Sequence, residues 1–177
     1  MNDPQASLTE LEGAILSEIH HRGAGTAFKV RKAFQSSPSL EWSGSAGAVY
    51  PAIRRLTDHG LIAAQTEVSG RRTSTLTLTT TGVERLNAWI CNAERAAGLG
   101  LDPFRLRSGL WDHLPLPQRL AGLEALSSEL TRQIAELAAY RTTLDSVEQR
   151  RVDLSITLQH MRIEWIENEL RIAKQKS

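Results

Sequence analysis

The chain has 177 residues, of which 41% are hydrophobic and 23% charged, a composition typical of a folded globular protein. This length allows one domain or two small ones. A run of about 18 apolar residues is absent, which excludes a membrane-spanning helix. The first residues lack a secretory signal, so we expect a cytoplasmic protein. The single cysteine, Cys91, excludes an internal disulfide framework and a cysteine-rich zinc module.

The formal net charge is only +1, but the charges are unevenly distributed. Between Arg22 and Arg72 there are eight Lys or Arg residues and three Asp or Glu residues, a local excess of five positive charges. Residues 73–177 carry 13 of each sign. A basic excess confined to one segment is typical of a face that binds nucleic acid. Charges scattered over a solvated surface would give the same counts. The predicted secondary structure is therefore needed to choose between a nucleic-acid-binding face and scattered charges.

The first third of the chain predicts two helices. Apolar residues at helical spacing predict a first helix from Leu8 to His21, with Ser7 and Glu10 as a capping box at its start. A second helix is predicted to begin after Thr26, which is a good N-cap residue. The cations on the polar faces of this second helix are Lys29, Arg31 and Lys32.

A third helix is predicted to begin at Ser43 or Ser45 and to end at Gly60. Its apolar side chains recur at helical spacing, which predicts one buried face. Pro51 lies inside this helix, where it removes a backbone donor. A proline inside a helix departs from the usual sequence preferences of helices, and such departures are expected at functional sites. The apolar residues of the third helix are Val49, Ile53 and Leu56.

A hairpin and a fourth helix follow. The segment 61–67 and the alternating segment 73–79 predict two strands, joined by a loop that carries Gly70, Arg71 and Arg72. Three helices followed by a hairpin is the order of a winged helix-turn-helix, in which the third helix enters the major groove of DNA. The candidate DNA-binding residues are Lys29, Lys32, Ser45, Gly47, Tyr50, Arg54, Arg55, Gly70, Arg71 and Arg72.

The C-terminal part predicts a separate helical domain. We place the boundary between residues 92 and 93, followed by a short helix, a long helix from Pro117 and a last helix over 152–174. The last helix has two apolar stripes on nearly opposite sides, so it needs two partners. The long helix of the same chain covers one stripe, and we expect a second subunit on the other. The candidate dimer-interface residues are Leu154, Leu158, Met161, Ile163 and Trp165.

The segment from Ser45 to Leu56 (SAGAVYPAIRRL), followed by Gly60-Leu61-Ile62, resembles the core signature of the PadR family of bacterial transcription regulators. Gly70-Arg71-Arg72 and the segment 78–82 are similar to the wing of that family. The region from Asp102 to Lys174 is similar to the C-terminal α-helical domain of its long subgroup. One segment departs: Thr26-Ala27-Phe28 stands where the family usually has His-Gly-Tyr.

The resemblance implies a mainly α-helical protein with a small β-hairpin. Residues 1–92 would form a winged helix-turn-helix DNA-binding domain, and residues 93–177 a coiled-coil-like helical dimerisation domain. The partners implied are double-stranded operator DNA and a second copy of the chain. Within the family the function would be that of a ligand-responsive repressor on an inverted-repeat operator, with a transcriptional activator of the virulence-activator branch as the alternative.

The effector stays open at this point. Trp89, Trp111 and Trp165 either line a pocket for a small aromatic effector or pack in the core and the interface. No metal or other cofactor is expected, because adjacent His20 and His21 point to different faces of a helix. No enzyme motif is present. The rival function from another class is a dimeric protein-interaction module that does not bind DNA.

Overall fold

The computed structural model describes residues 7–36, 45–66 and 74–175, which are mostly helical with one small antiparallel sheet. The predicted fold class is therefore confirmed. The chain divides into two compact units, Met1–Trp89 and Ile90–Ser177. None of the helices in the described ranges is long and apolar enough to cross a membrane.

The first unit has the winged-helix order of elements. Helix α1 begins two residues later than predicted, because Thr9 rather than Ser7 is its N-cap. The Thr9 hydroxyl accepts the backbone N–H of Glu12 at 3.2 Å, and the Glu12 carboxylate accepts the backbone N–H of Thr9 at 3.1 Å. The elements are α1 (Glu10–Arg22), β1 (Gly25–Thr26), α2 (Ala27–Gln35), α3 (Ala46–Asp58), β2 (Ile62–Thr66), β3 (Ser74–Leu78) and α4 (Thr80–Ile90).

The predicted hairpin has two strands, whereas the sheet in the described residues has three. Strands β2 and β3 pair antiparallel, with Ile62 opposite Leu78. Strand β1 pairs with the other edge of β3, so that the strand order is β1-β3-β2. A strand of two residues carries no alternating pattern, which is why the sequence did not predict it. Immediately after β1, Thr26 caps α2 by accepting the backbone N–H of Lys29, as predicted.

The junction after β3 fixes the start of α4. The Thr79 hydroxyl donates to the backbone carbonyl of Gly60 at 2.7 Å and accepts the backbone N–H of Gly82 at 3.0 Å. Gly60 has a φ of +68°, which favours glycine, and Gly82 lies so close to the carbonyl of Leu61 that no side chain fits. These contacts explain why a threonine and a glycine occupy positions 79 and 82 of the segment 78–82.

Two long helices dominate the second unit, where α7 and α8 pack along each other. The last helix begins six residues earlier than predicted, because α8 starts at Ser146 rather than at residue 152. Asp145 caps it by accepting the N–H groups of Val147 and Glu148 at 2.8 and 3.1 Å. The elements are α5 (Ala93–Ala96), α6 (Leu101–Ser108), a short 3₁₀ turn (Trp111–His113), α7 (Leu116–Arg141) and α8 (Ser146–Gln175).

Buried polar side chains on α8 tie it to the segment before α6. Arg162 is 8% exposed and donates to the backbone carbonyls of Gly98 and Gly100, each at 2.8 Å. Gln159 is fully buried and donates to the carbonyl of Ala97 at 2.8 Å. Burial lowers the pKa of the Arg162 guanidinium. These two side chains were not predicted, since a Gln and an Arg on a helix usually face solvent.

Close packing of α1 against α4 yields the first prediction. The Trp89 ring lies directly over Gly13, and a Cβ at that position would overlap the ring. Gly13→Ala is therefore expected to destabilise the protein by about 1–3 kcal/mol, the usual cost of overpacking. Thermal denaturation followed by circular dichroism measures this change.

Gly47 in α3 provides the matched control. Among the described residues, nothing lies within 4 Å of a Cβ built there, so Gly47→Ala is expected to raise stability by about 0.5–1 kcal/mol through helix propensity. Equal melting temperatures for Gly13→Ala and the unmodified protein would contradict the packing described.

Candidate nucleic-acid interface

Helix α3 has two chemically different faces. Val49, Ala52 and Leu56 are at most 1% exposed and form its buried side. Gly47, Tyr50 and Arg54 recur at helical spacing on the opposite side, and all three are exposed. The structure therefore brings these three predicted residues onto one outward stripe of the third helix.

The side chains of this stripe are available for contact. Tyr50 is 39% exposed, and the Arg54 side chain is 85% exposed. Arg54 approaches Asp58 only to 3.9 Å, and an exposed pair at that distance contributes little to stability. The Arg54 guanidinium can therefore exchange Asp58 for a phosphate at small cost.

Arg55 lies on the flank of α3 and is already engaged. Its Nε donates to the Glu12 carboxylate of α1 at 3.1 Å. The Glu12 side chain is 14% exposed, whereas that of Arg55 is 50% exposed. Burial raises the pKa of Glu12, but the hydrogen bonds from Thr9 and the charge and hydrogen bond of Arg55 outweigh it and hold that pKa below its ordinary value. Sequence reasoning missed Glu12; the Thr-x-x-Glu spacing was its only signal.

Helix α2 also presents cations to solvent. Lys29 and Lys32 are exposed, on the side of α2 away from the buried Val30 and Phe34. The Phe28 ring, which stands where the resemblance expects a tyrosine, is 59% exposed beside them. Two predicted cations of α2 are thus accessible together with an apolar ring.

Two parts of the predicted interface remain: Ser45, which the structure describes, and the loop of the hairpin, which lies outside the described residues. Ser45 is exposed and is the N-cap of α3, but its side chain makes no capping hydrogen bond. Gly70, Arg71 and Arg72 lie outside the described residues. Their contribution stays a prediction from the sequence.

The tryptophans of the predicted effector pocket have packing partners. Trp89 is buried over Gly13. In the second unit, Trp111 is 2% exposed, and a Cβ at Gly122 would come within 2.8 Å of its ring. Trp165 packs edge-on against Phe104, with ring centroids 5.4 Å apart. The effector pocket formed by these tryptophans stays a prediction.

A groove of about 400 Å³ lies along α7 in the second unit. Polar groups and apolar groups share its wall, and none of the three tryptophans is among them. The lining residues are Gly98, Leu99, Arg132, Gln133, Glu136, Leu137 and Tyr140.

The two apolar stripes of α8 have different environments. Val152 and Ile166 on the first stripe are buried within their own unit. On the second stripe, Leu154, Leu158 and Met161 are 61%, 42% and 60% exposed. The remaining candidate interface residues, Ile163 and Trp165, are half-buried.

Comparison with known proteins finds a family match in the first unit. Residues 15–88 match the model of the "Transcriptional regulator PadR-like family". The matched segment contains α2, α3 and the hairpin, with all ten candidate DNA-binding residues. The family that this segment matches consists of transcriptional regulators.

A curated relative of this chain has low sequence identity to it. The chain is 26% identical over 100 residues to the negative transcriptional regulator PadR of Bacillus subtilis (strain 168), covering 55% of this chain and 54% of that protein. The chain thus matches about half the length of this curated relative.

Two solved structures align with most of the chain at low sequence identity. Bacillus subtilis PadR in complex with operator DNA is 18% identical, with a TM-score of 0.45, and covers 93% of this chain and 99% of its own. The Vibrio cholerae virulence activator AphA is 21% identical, with a TM-score of 0.41 and coverages of 94% and 99%.

The hydrogen bonds that Glu12 accepts from Thr9 and Arg55 predict a pH dependence of stability. Because folding holds the pKa of Glu12 below its ordinary value of 4.5, its contribution is complete above that value and is lost as the pH falls through the folded pKa. Glu12→Gln removes the titrating group. Between about pH 5 and about pH 3, its melting temperature is therefore expected to fall less than that of the unmodified protein. Thermal melts across this range measure the difference, and parallel curves would contradict these contacts of Glu12.

Proposed function

We propose that this protein is a sequence-specific DNA-binding transcriptional regulator that binds an inverted-repeat operator as a homodimer. The observation that carries the proposal is the outward stripe of α3, in which Gly47, Tyr50 and Arg54 lie opposite an apolar buried face. In a winged helix-turn-helix this is the helix that enters the major groove. The family that residues 15–88 match supports the same function.

The exposed groups divide by chemistry into two sets. Lys29, Lys32, Arg54 and Arg55 are cations suited to phosphates, which supply most of the affinity for DNA. Tyr50 and the side-chain-free surface at Gly47 are suited to base edges, where sequence is discriminated. The start of α3, at the exposed Ser45, adds the partial positive charge of a helix N-terminus.

The uncovered stripe of α8 supports a homodimer. Leu154, Leu158 and Met161 are large apolar side chains, and burying each one is worth roughly 1.5–3 kcal/mol. Their sum is comparable with the stability of a whole domain, about 5–15 kcal/mol. An isologous contact along this stripe would bury it twice. Two copies of α3 would then meet two half-sites related by the same two-fold axis.

We further infer repression as the mode of regulation, because a repressor needs only to occupy its site. The distant relationship to a negative regulator supports this choice over activation. A small aromatic effector is part of the proposal, and the groove along α7 supports it, since Leu137 and Tyr140 offer an apolar and an aromatic wall beside the polar Gln133.

Phosphate binding by Arg54 is tested by the salt dependence of DNA affinity. Arg54→Ala is expected to weaken binding and to reduce the slope of log K against log salt concentration by about 0.9 for each phosphate that the protein no longer neutralises. Arg151→Ala is the matched control, because Arg151 is also exposed in a local ion pair, with Glu148, but lies on α8.

The experiment uses a duplex selected by the unmodified protein from a random-sequence library. An unchanged slope in a folded Arg54→Ala variant would remove Arg54 from the interface. Failure of the unmodified protein to bind any duplex would favour the alternative, an interaction module that does not bind DNA.

The dimer is tested by placing charge on the exposed stripe of α8. Leu158→Glu combined with Met161→Glu is expected to convert the protein into monomers and to weaken operator binding strongly, because each carboxylate would have to be desolvated. Sedimentation at micromolar concentration measures the mass. His160→Glu adds charge at an exposed position away from the stripe and should leave the dimer intact. A monomeric unmodified protein would contradict this assembly.

A further inference from the structure

The bond between Arg55 and Glu12 joins the first turn of α1 to the flank of α3. The two residues are 43 positions apart in the sequence, so this bond joins helices that are distant along the chain. Glu12 is held on its own side as well, because its second oxygen, Oε2, accepts both the backbone N–H and the hydroxyl of Thr9, at 3.1 and 3.0 Å. The carboxylate is therefore an anchored acceptor.

The bond leaves most of the Arg55 guanidinium available. Nε donates to Glu12, and in the described part of the chain neither Nη group has a hydrogen-bond partner. The Arg55 side chain is half exposed, whereas Glu12 is largely covered. An arginine fixed through Nε still carries two Nη groups in one plane, a geometry that suits a phosphate.

We propose that Glu12 is a positioning residue for DNA binding, which fixes Arg55 through Nε so that its Nη groups meet a backbone phosphate. This inference rests on the proposed function. A free arginine side chain loses rotamer freedom when it binds, and fixing it beforehand reduces that loss. Glu12 thus strengthens binding to a polyanion although it is itself an anion.

Positioning and charge predict opposite effects on DNA affinity when Glu12 is removed, which makes the inference testable. If Glu12 acted only through its charge, removing it would strengthen DNA binding. If it positions Arg55, Glu12→Ala weakens binding roughly two- to tenfold per subunit, the range expected for one newly mobilised side chain. Glu12→Asp keeps the charge but is one methylene too short to keep the bond, so it should weaken binding too. Glu12→Gln has one acceptor oxygen in place of two, so it keeps only part of these bonds and should weaken binding less than Glu12→Ala.

Two controls separate positioning from stability and from general electrostatics. Asp58→Asn removes an acid on α3 that does not anchor Arg55, and it should strengthen binding. In an Arg55→Lys background, which keeps the charge but lacks Nε, Glu12→Ala should no longer weaken binding. The affinities are measured by fluorescence anisotropy on the full chain, at a temperature where circular dichroism shows every variant folded. The probe is the duplex selected by the unmodified protein.

Each outcome decides the matter. Weaker binding by Glu12→Ala and Glu12→Asp that disappears in the Arg55→Lys background supports the inference. Unchanged or stronger binding by Glu12→Ala would overturn it, and so would a loss that persists with Lys at position 55. If these variants behave as charge alone predicts while the unmodified protein binds its duplex, the proposed function stands and only the role of Glu12 falls. Absence of binding by the unmodified protein would contradict both.

Discussion

Helix α3 is buried along one side by contacts with α1, α2 and β2, and Val49, Ala52 and Leu56 on that side are almost completely removed from water. This packing sets the rotation of α3 about its axis. Because a helix repeats every 3.6 residues, fixing three apolar positions also fixes which residues face outward. The exposure of Tyr50 and Arg54 follows from the burial of their neighbours, so the surface proposed to meet DNA is a consequence of the core.

Local interactions at the ends of the elements complete this arrangement. Thr9 and Glu12 begin α1, and the same Glu12 holds a cation of α3. Thr79 begins α4 and is bonded to the turn that ends α3, at Gly60. In both cases a capping residue serves its own helix and α3 together. The orientation of α3 thus depends on side chains that lie outside it.

Periodicity predicted the parts of the structure in which many residues repeat one pattern. The apolar spacing in α3 and the alternation in β3 gave elements that the structure confirms, with ends shifted by one to three residues. The two-residue β1 and the one-turn α5 are too short to carry a period. The choice of Thr9 over Ser7 as N-cap was not predictable, because both precede a glutamate by three residues.

Contacts between distant residues were beyond the sequence for a different reason. Glu12 and Arg55 each look like solvated surface charges, and only the packing of α1 on α3 brings them together. Gln159 and Arg162 likewise find backbone carbonyls that come from the segment before α6. The outward stripe of α3 needed only its own period, so most of the candidate site was predictable although its anchor was not.

The central claim is that two copies of α3, related by a two-fold axis, enter the major groove of one operator. Hydroxyl-radical footprinting of the unmodified protein on a duplex that it has selected tests this most directly. The account predicts two symmetric protected half-sites whose centres are separated by one or more helical turns, about 10–10.5 base pairs each. A single asymmetric footprint, or uniform protection without a repeat, would contradict it.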